Sequence, residues 1–282
     1  MRFTSVVVPV DMEEHGDRAL HYARRLAAAG NLPVELITVS SPALAEGADR
    51  WDLSRRATTL ERAGIDCSYR VLHSDDPSGS IVEHLRGRPG ALLAMATHAR
   101  GLLSERLLGS VSEAVLTHHT GPMLLFGPRF SPSDTEGAPV LVGAVDDRPA
   151  SEVVLDAAEA WSTAFGAAPP WLVEVLEPVE LGPGSGVAVV ESTRVRMLAA
   201  GLSSRGIEAQ WEVLHGRHPA DSILEFADLR DDVVIALASE RWTDPDHHHL
   251  VSVTRAVARG CRHPVLVVPV ADSPTALEQA HD

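Results

Sequence analysis

Cysteine is nearly absent: Cys67 and Cys261 are the only two in 282 residues, too few for a disulfide framework and consistent with a reducing compartment. Long apolar runs are missing too. The stretch Val6 to Val10 is cut off by Asp11, far short of a bilayer span. No positively charged leader with an apolar stretch and a cleavage site is present, so the expectation is a soluble, cytoplasmic protein. Cations are in deficit: 24 Lys plus Arg against 39 Asp plus Glu leave a formal charge of −15. That balance opposes adhesion to nucleic acid or to anionic membranes, and neither is expected as a partner.

Several chemical signatures are lacking as well. The glycine-rich run from Gly182 to Gly186 has no GKS or GKT behind it and reads as a flexible connection rather than a phosphate loop. No G-x-S-x-G elbow occurs, so nucleophilic catalysis has no support. His247, His248 and His249 are adjacent and cannot share one face of a helix or strand, and no Cys or second His pair stands at ligand spacing; they read as a solvated loop, not a metal site. His118 and His119, near a helix C-terminus, read as favourable dipole pairing. No catalytic residue or metal ligand can be assigned, and the expectation is that the protein is not an enzyme.

What is present is a regular alternation of strands and helices. Ser5 to Val10 is a β-branched run of the kind buried on both faces, and Asp11 ends it. The following segment places Ala19, Tyr22, Ala23, Leu26 and Ala27 on one helical face, with Gly30 as a stop. Val34 to Val39 predicts a second strand, 49–63 a helix, Ile65 to Leu72 a third strand and Ser80 to Leu85 a short helix. Ala91 to Ala96, a helix opening at Gly109-Ser110 and the strand Met123 to Phe126 complete the series. This order, with crossover-length connections, predicts a parallel, doubly wound sheet whose ligands bind outside the carboxyl ends of the strands.

The series then repeats. Val71, Leu72, His73, Pro77, Ser80, Ile81 and Glu83 match Val213, Leu214, His215, Pro219, Ser222, Ile223 and Glu225 at an offset of 213 − 71 = 142. Ser110 and Ser252, Ala114 and Ala256, and Pro122 and Pro264 keep that offset, whereas Val10-Asp11 matches Val145-Asp146 at 135. The seven extra residues are expected in the Pro- and Gly-rich stretch Glu177 to Gly186. Two α/β domains in tandem follow, over 1–128 and 138–270, with a linker at 129–137 and a polar, disordered tail at 271–282.

The stretch 92–126 carries the most specific pattern. Ala96, Thr97, His98 and Ala99 are followed by nine residues and then by Gly109-Ser110 at the head of a helix, an arrangement that presents backbone N–H groups and a positive dipole end to an anion. In this frame the chain resembles the universal stress protein family, whose motif is G-x-x-G, nine residues, then G-[S/T]. The frame is kept, with Ala96 and Ala99 in place of two glycines. In the second half, Ala238, Ser239, Glu240 and Arg241 lead to Val251-Ser252, so all three glycines are gone.

The resemblance implies an adenine nucleotide alpha hydrolase-like fold of strand order 3-2-1-4-5, in which the ends of strands one and four share a crevice. It implies a non-catalytic stress-response protein whose tandem domains pack as a pseudo-dimer through their last strands, Met123 to Phe126 against Val265 to Val268, and in which some members bind ATP. Carried onto this sequence, an ATP or AMP site in the first half draws on Pro9, Val10, Asp11, Val39, Ala96, His98, Ala99, Arg100, Gly109, Ser110 and Val111. The second-half equivalents, Asp146 and Ser252, are expected not to bind. If the backbone at Ala96 and Ala99 needs positive φ, each alanine costs about 1–2 kcal/mol. Three readings stay open at this level: a nucleotide-responsive module, a nucleotide-free module that binds a protein partner, and a slow nucleotide hydrolase. The last lacks a general base assignable from spacing. A homodimer of the tandem chain is compatible with each.

Overall fold

In the computed structural model of the protein the described residues are 1–11, 16–41, 47–97, 109–133, 135, 137–180, 187–188, 192–239 and 248–270. The first half runs β1 (Ser5–Pro9), α1 (Gly16–Gly30), β2 (Val34–Ser40), α2 (Gly47–Arg62), β3 (Cys67–His73), α3 (Pro77–Leu85), β4 (Ala91–Ala96), α4 (Ser110–His118) and β5 (Met123–Phe126). The second half runs β6 (Val140–Val145), a 3-10 turn (Pro149–Glu152), α5 (Val153–Phe165), β7 (Trp171–Leu176) and a small antiparallel pair, β8 (Val179–Glu180) with β9 (Val187–Ala188). It continues with α6 (Arg194–Ser204), β10 (Gln210–His215), α7 (Pro219–Asp228), β11 (Val233–Ser239), α8 (His248–Gly260) and β12 (Val265–Pro269). Local chemistry sets the boundaries. Asp76 caps α3 by accepting from the Gly79 amide, with Pro77 following it, and α5 ends on Gly166 in the left-handed region at φ 59°.

Ten strands form one sheet in the order β10-β7-β6-β11-β12-β5-β4-β1-β2-β3. Counted within its own half, each set of five reads 3-2-1-4-5. Pairing inside each half is parallel, and the seam between β5 and β12 is antiparallel. Its register sets Leu124 against Leu266, Met123 against Val267 and Leu125 against Val265. Since 266 − 124 = 142, the two residues at the centre are repeat counterparts, and an approximate twofold axis passes between them.

Side chains alternate between two helix-covered faces. Val6, Val8, Leu36, Leu92, Leu124 and Leu266 join residues of α1, α2, α5 and α6; Val7, Ile37, Leu93, Leu125 and Val265 join residues of α3, α4, α7 and α8. Both clusters run unbroken across the seam, so the halves share one core. Aromatic residues concentrate on the α1/α5 side. Phe3 stacks on Phe165 at 5.7 Å, Trp161 meets Phe165 edge-on at 4.6 Å, and Tyr22, Phe126 and Phe130 form a second group. The Trp161 indole donates to the Pro139 carbonyl at 2.9 Å, and the largely buried guanidinium of Arg25 forks onto both oxygens of Asp232 in the other half.

Three details differ from the sequence reading. Phe130, inside the stretch read as a connection, is buried at 4% exposure, because an aromatic ring beside Tyr22 and Phe126 gains more from packing than a polar connector loses in freedom. The extra residues of the second half are divided. Thr38 pairs with Val71 and Glu174 with Val213, an offset of 174 − 38 = 136 at β7 against 142 at β10, so one residue enters before β7 and six after it. His248 and His249 are the opening residues of α8 rather than a loop, while His247, the run at 182–186 and the tail lie outside the described residues.

Candidate functional site

The carboxyl ends of β1, β2 and β4 define the candidate crevice. β1 lies between β2 and β4 in parallel register, with Pro9 opposite Ile37 and Val7 opposite Leu93, so the residues after each strand emerge on one edge of the sheet. Pro9 closes β1, and Val10, buried, donates its amide to Ile37 at 2.8 Å. Asp11 and Val39 are half-buried beside it. Ala96 is the last residue of β4. Among the described residues the only non-glycine with positive φ is Asn31, so Ala96 holds ordinary strand backbone and its expected strain of about 1–2 kcal/mol does not arise. His98, Ala99 and Arg100 lie outside the described residues.

Helix α4 returns its N-terminus to the same edge. Gly109 occupies the N-cap position at φ −57° and ψ 146°, angles open to any residue, and being glycine it offers the helix no side-chain cap. The first intrahelical bond runs from the Glu113 amide to the Gly109 carbonyl at 3.0 Å, so the amides of Ser110, Val111 and Ser112 precede the hydrogen-bonded ladder. Ser110 is exposed and Val111 half-buried. Its dihedrals need no glycine, so what glycine changes here is that no side chain of its own stands beside these amides.

Sequence reasoning missed what holds this turn in place. The buried hydroxyl of Ser112 donates to the Ala96 carbonyl at 3.5 Å, and Thr254, its counterpart at 254 − 112 = 142, donates to Ala238 at 3.4 Å. Each half thus fastens its fourth helix to the tip of its fourth strand by the same long hydroxyl bond. Thr97 is fixed to the Phe126 carbonyl through its amide at 2.9 Å and its hydroxyl at 3.2 Å. Ser40, the last residue of β2, is 4% exposed, and its Oγ has no hydrogen-bond partner among the described residues. Its side chain shares the face of Leu36, under α1 and α2, opposite the face on which α4 packs. The repeat offered a signal for Ser112, a hydroxyl at both 112 and 254; nothing in the pattern singled out Ser40.

The second crevice is occupied by its own side chains. Asp146 accepts the Arg148 amide on Oδ1 at 3.0 Å, its own amide donates to Ser151 at 3.2 Å, and Arg194 donates to the Asp146 carbonyl at 2.9 Å while bridging to Glu152. Where β2 carries Thr38, β7 carries Glu174, 3% exposed, with Oε2 lacking a hydrogen-bond partner among the described residues, on the face of Leu172 under α5 and α6. Ser252 falls within α8.

Other candidate groups are set by burial. His118 contacts the Ala114 carbonyl through Nδ1 at 2.8 Å, a C-terminal arrangement that suits dipole pairing. His119 departs from that reading: burial lowers its pKa below the ordinary imidazole value, against a backbone hydrogen bond to Pro122 that raises it. Burial thus disfavours the charge that pairing with the helix end needs. Burial pushes both thiols up to about 12, so neither Cys67 nor Cys261 is a ready nucleophile. Among the described residues no cluster of His, Cys, Asp and Glu could hold a metal ion, and no helix is long and apolar enough to cross a membrane.

Known proteins match this arrangement from end to end. The chain is 25% identical to a universal stress protein of Mycobacterium tuberculosis, and to one of Mycobacterium bovis, over 95% of its length and 96% of theirs. The crystal structure of a universal stress protein from Archaeoglobus fulgidus superposes with a TM-score of 0.70 at 19% identity, covering 95% of this chain and 98% of that one. A putative universal stress protein of Pseudomonas aeruginosa gives 0.66 at 18% identity, covering 95% and 93%. These structural likenesses establish the fold. The sequence itself matches the universal stress protein family twice, over residues 2–127 and 139–269, and the chain belongs to that family.

Proposed function

We propose that the protein is a non-catalytic, cytoplasmic stress-response module that binds ATP or AMP in its first half alone. In this reading the base lies against the backbone of Pro9, Val10 and Val39. Asp11 accepts from a ribose hydroxyl, and the phosphates meet the amides at Gly109, Ser110 and Val111. The observation that carries it is the α4 N-terminus, whose N-cap residue Gly109 has no side chain to cap it and which opens on the strand edge from which Asp11 emerges. The ordinary backbone of Ala96 removes one objection. In the second half Arg148 and Arg194 occupy the equivalent strand end. Titration calorimetry of the full chain with ATP and with AMP tests the reading. Saturable heat is expected, and none up to millimolar nucleotide discards it in favour of a nucleotide-free module that recognises a protein partner.

A further inference from the structure

The approximate twofold brings counterpart positions of the two halves face to face. Glu113 of α4 and Arg255 of α8 are such counterparts, at 255 − 113 = 142, and Nη2 of Arg255 lies 3.6 Å from Oε1 of Glu113. Glu113 is the residue whose amide closes the first turn of α4, one turn from Ser110. A carboxylate there suits an empty helix end, yet it repels any phosphate that approaches the amides of Ser110 to Ser112. The compensating charge comes from the other half.

Resting on the first-half site of the preceding subsection, we infer that Arg255 is a positioning residue for that site: from across the seam it neutralises Glu113 and so admits a nucleotide's phosphates to the first turn of α4. The second half, whose own loop has Val251 where the motif has glycine, thereby serves the first half's site electrostatically. An uncompensated unit charge roughly 8 Å from a phosphate, at dielectric values between those of a protein surface and water, changes a binding constant by about three- to thirtyfold.

The test is ATP and AMP calorimetry on full-length wild type, Arg255→Gln, Glu113→Gln, the double variant and Arg255→Lys, in low salt and at about 0.5 M salt. Arg255→Gln should weaken ATP about tenfold and AMP less, and high salt should shrink the difference. Glu113→Gln should bind at least as tightly as wild type. The double variant should recover to within about threefold of wild type, and so should Arg255→Lys. A merely structural ion pair would weaken ATP and AMP alike when broken. Wild-type binding with unchanged affinity in Arg255→Gln, or a double variant as weak as Arg255→Gln, overturns this inference and leaves the site standing. Wild type that binds no nucleotide overturns both.

Discussion

A single methyl group tests how the halves lock together. Gly30 ends α1 and Phe165 ends α5; 165 − 30 = 135, so these too are counterparts meeting near the twofold. A β-carbon on Gly30 would lie 2.9 Å from Cδ1 and Cε1 of Phe165 and 3.0 Å from the Ala164 carbonyl oxygen. Gly30→Ala therefore sets two effects against each other. Helix propensity favours alanine by about 0.5–1 kcal/mol, whereas overpacking against a ring that Phe3 and Trp161 hold in place costs about 1–3 kcal/mol. Close approach should win, with a net loss of about 1–2 kcal/mol. Phe165→Ala, at 5% exposure, should cost about 3–5 kcal/mol by itself. In that background Gly30→Ala should be neutral or stabilising by about 0.5 kcal/mol, giving a coupling of at least about 1 kcal/mol. Urea unfolding followed by both tryptophan fluorescence and far-ultraviolet circular dichroism supplies the energies and checks that the halves unfold together. If Gly30→Ala stabilises wild type and the Phe165→Ala variant equally, the knob-and-hole contact does not exist.

Two further perturbations probe the same seam. Gly127 follows β5, and a β-carbon there would run into the Ala258 carbonyl of α8, a backbone group with no rotamer to escape into; Gly127→Ala should lower stability by about 3 kcal/mol in the same urea assay. Burial lowers the pKa of His119 and of His263, against a backbone hydrogen bond to Pro122 for the first and the charge of Asp228 for the second. The unfolded chain then takes up these protons first, so stability present above pH 6.5 should fall as the pH drops through the depressed folded values. Urea midpoints between pH 8 and 5 should show that slope, flattened in His119→Gln.

Much of the fold was legible in the chain because its signals are local and doubled. Apolar runs of four to seven residues and helices closed by glycine recur in both halves, and that agreement carries the reading of two α/β domains in tandem; the strand order and the shared edge of Asp11 and Ser110 came from the family resemblance. The second-half loop, without glycine at Val251, was likewise visible as divergent. Placing the seven extra residues was less secure, since linkers follow no ladder; only the pairing of Glu174 with Val213 divides them.

The sequence by itself determined which residues form strands and helices, that there are two copies, and which strand ends carry the family pattern, since backbone periodicity and turn chemistry act over a few residues. Tertiary structure alone decided what the copies do to each other: Phe165 over Gly30, Arg25 on Asp232, and Arg255 beside Glu113. It also decided that Phe130 packs inside and that the Ser40 hydroxyl is buried with no partner among the described residues. Such contacts join residues more than a hundred positions apart or depend on shielding from every side. They follow from the antiparallel meeting of β5 and β12, which places counterpart positions opposite each other.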